Sequence, residues 1–141
     1  MINRSFVCLA GLILFSVILA AQSPAGGDPV AENLFPPELV MSHQTAIRLD
    51  ETQKSYIRGE VLRAQTRFTE LQWQLQDSME ALVSLLKQTP VDESRVMSQL
   101  DKVLSSEREI KRTQISLMVR IKNKLTPDQQ ARLQKLRSES K

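Results

Sequence analysis

The sequence predicts an all-α protein built on a long antiparallel helical hairpin that is flanked by two short helices. Two long segments carry apolar residues at helical spacing, and every proline lies outside them. Of the four glycines only Gly59 lies beyond residue 27, so turns that need a positive φ are almost absent. The composition is rich in good helix formers such as Gln, Glu, Arg, Lys and Leu. These features favour long helices over a layered domain.

Residues 1–21 have the order of a secretory signal peptide. Arg4 precedes an apolar run from Phe6 to Ala21, and small residues follow that run. The run is shorter than the roughly 20 residues that span a bilayer comfortably, so we expect cleavage and export to the periplasm. The alternative is an uncleaved anchor in the inner membrane, and membrane contact is expected only through residues 6–21. Cys8 lies inside the run, so we expect neither a lipid attachment there nor disulfides in the mature chain.

Residues 22–33 are expected to form a flexible leader, and residues 34–141 a single helical domain. Pro36 and Pro37 suit a helix start, and a short helix is predicted from Pro37 to Arg48. Asp50 and Gln53 then have the spacing of a capping box, which predicts the start of a helix of about 36 residues. Its apolar stripe consists of Ile57, Val61, Ala64, Phe68, Leu71, Leu75, Met79, Leu82 and Leu86.

A turn at residues 88–92 separates this helix from a second long one, predicted from Glu93 to Lys124. Its stripe consists of Val96, Leu100, Val103, Ile110, Leu117, Ile121 and Leu125. Because the two helices have similar lengths and a short connection, we expect them to pack antiparallel along a coiled-coil-like seam. Thr126 and Pro127 predict a last short helix that ends near Arg137.

The segments Leu49–Gln53 and Leu125–Gln129 each begin with leucine and a capping residue and end with glutamine. At these segments the sequence resembles the Spy/CpxP family of periplasmic proteins, whose motif is LTxxQ; the first copy has Asp50 in place of threonine. The resemblance covers about residues 34–137. The residues that match the motif are Leu49, Asp50, Gln53, Leu125, Thr126 and Gln129.

The resemblance implies four helices in a thin curved cradle, usually as an antiparallel homodimer. It also implies one of three roles: an ATP-independent chaperone for unfolded or misfolded envelope proteins, an adaptor that docks on a membrane sensor protein in the envelope stress response, or a heavy-metal sensor or resistance accessory. We expect the first two over the third. Since the two motifs flank one hairpin, they are expected to lie close together in space.

The chemistry-bearing residues argue against an enzyme. The mature chain has no cysteine, no glycine-rich phosphate loop and one histidine. From residue 104 onward ten Lys and Arg face four Asp and Glu, a bias that favours acidic partners or anionic lipid if it is more than a solvated helix face. No nucleic-acid motif is present, and none is expected in an exported protein.

Several large apolar residues lie off the two stripes and need a further surface to cover them. That surface is supplied by the short helices, by a second copy of the chain, or by a client protein. The residues predicted for client binding, apolar groups with a basic rim, are Leu62, Arg63, Trp73, Arg112, Ile115, Met118, Val119 and Lys122.

Metal binding is the alternative, and it rests on His43 with Met41 nearby. Tight zinc, copper or nickel sites need three or four ligands, and a single histidine does not provide them without a second chain. We therefore expect no cofactor, and we expect His43 to be an exposed or helix-capping residue.

Overall fold

The computed structural model describes residues 29–139, and this part of the chain is helical without strands. The five helices are α1 (Pro29–Glu32), α2 (Pro37–Ser42), α3 (Glu51–Leu86), α4 (Glu93–Lys124) and α5 (Pro127–Glu139). Helices α3 and α4 pack along each other as a hairpin, and the short helices flank it. The predicted fold class is confirmed.

Local capping sets the ends of the hairpin helices where the sequence predicts them. The Asp50 side chain accepts a hydrogen bond from the Gln53 backbone N–H at 2.7 Å, and Gln53 Oε1 accepts one from the Asp50 N–H at 3.2 Å. Asp92 caps α4 by accepting from the Arg95 N–H at 3.1 Å. These contacts satisfy backbone donors that have no partner inside the helix, so each helix has one favoured start.

Helix α2 is shorter than predicted. It ends at Ser42, whereas the predicted end was Arg48. Tight turns follow, in which the N–H of Gln44 bonds to the carbonyl of Met41 and that of Arg48 to the carbonyl of Thr45. Arg48 has a φ of 53°, in the left-handed region that interrupts a helix. The interruption allows both Ile47 and Leu49 to be buried.

The N-terminal end of the described chain is held against α4 and α5. Arg137 donates hydrogen bonds to the backbone carbonyls of Ala31 and Glu32, at 3.1 and 2.8 Å, and to that of Leu34. Lys122 donates to the carbonyl of Asn33 at 2.7 Å. The part of the expected leader that falls within residues 29–33 thus contains α1 and is tied to two helices.

The core lies at the end of the hairpin where the chain enters α3 and leaves α4. Its buried cluster consists of Phe35, Val40, Ile47, Leu49, Ile57, Ala64, Leu117, Ile121, Leu125 and Leu133. Towards the turn at residues 87–92, burial is sparse: the exposed apolar side chains there are Met79, Val83, Leu86, Val91, Met97 and Leu104. We call this surface the apolar tip. Stability is therefore concentrated at the base of the hairpin.

Between residues 29 and 139 there is no helix with the length and apolarity needed to cross a bilayer. The predicted signal peptide or anchor at residues 1–21, and residues 22–28 of the leader, lie outside the described residues.

Candidate functional site

The two glutamines of the repeated motif meet at the base of the hairpin and bind each other. Gln53 Nε2 donates to Gln129 Oε1 at 2.8 Å, and Gln129 Nε2 donates to Gln53 Oε1 at 2.9 Å. The remaining amide protons go to backbone carbonyls, that of Lys124 at 2.9 Å and that of Arg48 at 3.3 Å. Each side-chain oxygen also accepts the backbone N–H of its own capping residue, Asp50 or Thr126.

This amide pair fills the hydrogen-bonding capacity of both side chains, since each offers two donors and accepts two bonds. Both glutamines are buried, and the motif leucines Leu49 and Leu125 are buried beside them. The expectation that the two motifs lie close together is confirmed. The geometry assigns the motif a structural task, which is to lock the start of α3 to the start of α5, and leaves it no free group for a ligand.

A groove of about 790 Å³ runs between α3 and α4 on the base half of the hairpin. We call it the basic groove. Its charged lining consists of Glu60, Arg63, Arg67, Arg108, Glu109, Lys111, Arg112 and Arg120. Its apolar lining consists of Ala64, Ile115, Leu117 and Val119. Six cationic side chains face two carboxylates there, which leaves a formal excess of four positive charges.

Glu60 organises one end of the basic groove. Its residue is only 6 % exposed, and its carboxylate joins the two helices by accepting from Arg120 Nη1 at 3.0 Å and from Arg63 Nη2. The hydrogen bond from Arg63 is the largest cause that holds the pKa of Glu60 below its ordinary value, and that from Arg120 acts in the same direction against the opposing effect of burial. Glu60 is thus a carboxylate that orients two arginines.

Three other cations of the groove make only contacts within their own helix. Arg67 pairs with Glu70 at 3.0 Å and Arg112 with Glu109 at 3.5 Å, both between exposed side chains on one helix. Arg108 donates to the Ser105 hydroxyl at 3.3 Å. Exposed pairs of this kind contribute at most about 1 kcal/mol, so a ligand can replace them at little cost.

The structure brings together four of the eight residues that the sequence analysis selected for client binding. Arg63, Arg112, Ile115 and Val119 all line the basic groove. Leu62 and Trp73 are strongly exposed on α3, with 63 % and 60 % of their surfaces accessible, but they do not line it.

The remaining two selected residues have other positions. Met118 is buried, with 8 % of its surface exposed, because it lies on the side of α4 that faces the interior; its selection as a surface residue was wrong. Lys122 donates to the Asn33 carbonyl and its Nζ lies 6.0 Å from the centre of the Phe35 ring. It therefore holds the N-terminal segment in place.

Residues 29–139 contain no group of three or more His, Cys, Asp or Glu side chains that could hold a metal ion. His43 is half-buried just after α2, where its backbone N–H bonds to the carbonyl of Leu39 at 3.3 Å. Met41 is half-buried and packs against the core cluster. Within one chain, these two residues provide two soft or borderline ligands at most.

Sequence reasoning overlooked Glu60, Arg108 and Lys111. A signal for Glu60 was present, because residues 53, 57, 60, 64 and 71 share one helix face and the others are buried. A carboxylate at an interior position of a seam requires a cationic partner. The partner, Arg120, lies 60 residues further along the chain.

The fold and this site define an all-α hairpin protein in which a repeated motif joins the start of α3 to the start of α5. The base of the hairpin also carries a basic groove. A family model described as heavy-metal resistance matches residues 6–136, and the chain belongs to this family. The family lies in the Spy/CpxP-like helical fold group. No curated protein matches the chain, and no solved structure matches it.

Proposed function

We propose that this protein supports heavy-metal resistance in the bacterial periplasm by binding other proteins, as an ATP-independent chaperone or envelope-stress adaptor. The observation that carries the proposal is the basic groove, in which apolar side chains lie among six cations. Apolar groups provide contact area for many sequences, and flanking charges attract a partner and keep the complex soluble. The membership in the heavy-metal-resistance family supports the resistance role.

The partners we propose are unfolded or misfolded envelope proteins, or a membrane sensor protein. In this proposal the protein binds chains that heavy metals have damaged and so raises tolerance without holding metal itself. Export fits the order of residues 1–21, and the alternative that they remain as an inner-membrane anchor leads to the same role at the membrane surface.

The test compares charge reversals inside and outside the basic groove in an aggregation assay. The chain without residues 1–21 is added to a chemically denatured client in the absence of ATP, and light scattering is recorded. We expect suppression of scattering that is weakened by Arg108→Glu combined with Arg112→Glu and retained in Arg95→Glu, an exposed arginine of α4 outside the groove. Absence of suppression by the unaltered protein at several-fold excess would contradict the chaperone role.

We also propose that two copies form a homodimer through the apolar tip. Met79, Val83 and Leu86 are spaced by four and three residues, so they share one side of α3, and each is 43 % to 52 % exposed. A second copy would remove this area from water. Sedimentation should give a dimer that Met79→Asp converts to a monomer, whereas Gln65→Asp, at an exposed polar position of α3, leaves it intact.

The family match favours one competing function, direct binding of a heavy metal such as zinc, copper or nickel. In this reading His43 and Met41 of two chains would supply the ligands. Calorimetry on the metal-free protein separates the two functions, since the competing one requires micromolar affinity that is abolished by His43→Ala. A binding heat that is the same in His43→Ala as in the unaltered protein would rule out the competing function.

A further inference from the structure

We infer that the basic groove binds an acidic segment of a partner protein in extended conformation. The inference rests on the proposed function, because it specifies which part of a partner the same groove recognises. Four properties of the groove carry it: its charge, its length, the exposure of its cations and its apolar lining.

The charge of the groove selects an acidic ligand. Glu60 already pairs with Arg63 and Arg120. The cations along the rest of the groove are Arg67, Arg108, Lys111 and Arg112. The ion pairs that Arg67 and Arg112 do make join exposed groups on the same helix. A carboxylate from a ligand can therefore displace or share them, and a fork-shaped guanidinium binds carboxylates through two parallel hydrogen bonds.

The dimensions of the groove exclude a small anion as the fitting ligand. Arg108 and Arg120 mark its ends on α4, twelve helical residues apart, which corresponds to about 18 Å. An extended chain advances about 3.3 Å per residue, so the groove accommodates about five or six residues. Its volume of about 790 Å³ is far larger than a single phosphate or sulfate requires.

The exposure of the cations leads to the same conclusion. The side chains of Arg67 and Arg112 are 45 % and 73 % exposed, so each is well solvated and binds one isolated anion weakly. A ligand that presents several carboxylates on one backbone binds them together, and the second and later contacts then form within one complex. Multiple weak cations along a groove thus match a multivalent acidic chain.

The apolar lining distinguishes a peptide from a membrane surface. Ala64 and Leu117 are buried in the groove, Ile115 is half-buried and Val119 is 40 % exposed. In an extended chain, side chains alternate between two sides, so apolar residues can face this lining while acidic neighbours reach the arginines. A flat bilayer does not enter a concave surface between two helices.

The test measures the affinity of a fluorescent peptide of about six residues in which Glu and Asp alternate with Leu and Val. The titrant is the chain without residues 1–21, and the readout is fluorescence anisotropy at low and high salt. We expect binding that weakens with salt and that Arg108→Glu combined with Arg112→Glu weakens by at least about tenfold. The control Arg95→Glu, a single charge reversal outside the groove, should change the affinity by less than about twofold, and a peptide with Lys in place of the acids should not bind.

Both altered arginines are exposed, so circular dichroism should show the helical content unchanged. Lys111→Gln is a milder second variant, and we expect from it an intermediate loss of peptide affinity. Equal loss in Arg95→Glu would overturn the inference, as would inorganic phosphate that competes as well as the peptide. Binding to vesicles rich in anionic lipid but not to the peptide would assign the groove to a membrane, and a shift of the dimer to monomer by the groove variants without peptide binding would assign it to a second copy. If the peptide binds but aggregation is not suppressed, the chaperone role fails and the acidic-segment site stands.

Discussion

Gln53 and Gln129 form a closed pair of side-chain amides, 76 residues apart in the chain, in which each donates to the other at 2.8 and 2.9 Å. Each glutamine also closes the cap of its own helix, at Asp50 or at Thr126. The same side chain thus fixes where a helix begins and where the other motif must lie. Two short, similar local signals are in this way converted into one long-range contact.

Replacement of Gln129 by alanine should destabilise the protein by about 2–3 kcal/mol, because the buried Gln53 and the part-buried backbone groups of Arg48 and Thr126 lose hydrogen bonds. Urea denaturation followed by circular dichroism measures the change. Gln134→Ala, an exposed position of the same helix, should be neutral within about 0.5 kcal/mol.

The amide pair also predicts non-additivity. In the double variant Gln53→Ala and Gln129→Ala, neither side-chain amide is left without its partner, so the total loss should fall short of the sum of the two single losses by about 1 kcal/mol. Additive losses would mean that the two side chains act separately and that their mutual hydrogen bonds contribute nothing to stability.

Gly59→Ala should stabilise the protein by about 0.5–1 kcal/mol. Gly59 lies inside α3, where alanine is the better helix former. A Cβ at this position would meet only the flexible end of Arg63, at 3.8 and 4.0 Å from its Nη atoms, which is ordinary van der Waals contact. Thermal unfolding measures the gain, and a loss of stability would show that Arg63 and its pairing with Glu60 are disturbed.

Stability should fall in acid partly through Glu60. Its pKa is lowered in the folded protein, so its contribution is complete above the ordinary glutamate pKa of 4.5 and is lost as the pH falls through the lower folded value. Glu60→Gln should therefore be less stable than the unaltered protein at neutral pH, and the difference should shrink in acid. Glu70→Gln, at an exposed carboxylate of α3, serves as the control and should change the stability at neutral pH far less than Glu60→Gln does.

Much of this fold could be predicted because its signals are local. The starts of α3 and α4 follow from Asp50 and Asp92, whose side chains bond to backbone groups three residues away. The end of α2 at Ser42 could not be predicted this way, because no glycine or proline follows it and the turns that lead to the left-handed Arg48 are accompanied by burial of Ile47 and Leu49.

The candidate site was only half predictable for a related reason. Periodicity identifies which side of a helix is apolar, but the relative rotation of two helices decides which flanking residues face each other. Arg63 and Arg112 were selected and do line the groove, whereas Met118 was selected and is buried. The contact between Glu60 and Arg120 depends on the register of the whole hairpin, which no segment of sequence contains by itself.

The uneven burial along the hairpin predicts uneven stability. Ile57 and Ile121 are fully buried at the base, whereas Leu86 and Met97 are about half exposed near the turn. Ile121→Ala should cost about 2–5 kcal/mol, as in other tightly packed cores, and Leu86→Ala should cost less than about 1 kcal/mol.

Hydrogen exchange of the backbone amides gives the same contrast without substitution. Amides of residues 75–86 and 93–100 should exchange by local opening well before those of residues 53–64 and 117–125, because few apolar contacts oppose opening at the tip.

Dilution then separates two causes of protection. If a second copy covers the apolar tip, exchange there should quicken as the protein is diluted while exchange at the base stays constant, since only the tip is stabilised by mass action. Uniform exchange along both helices at every concentration would contradict the concentration of stability at the base.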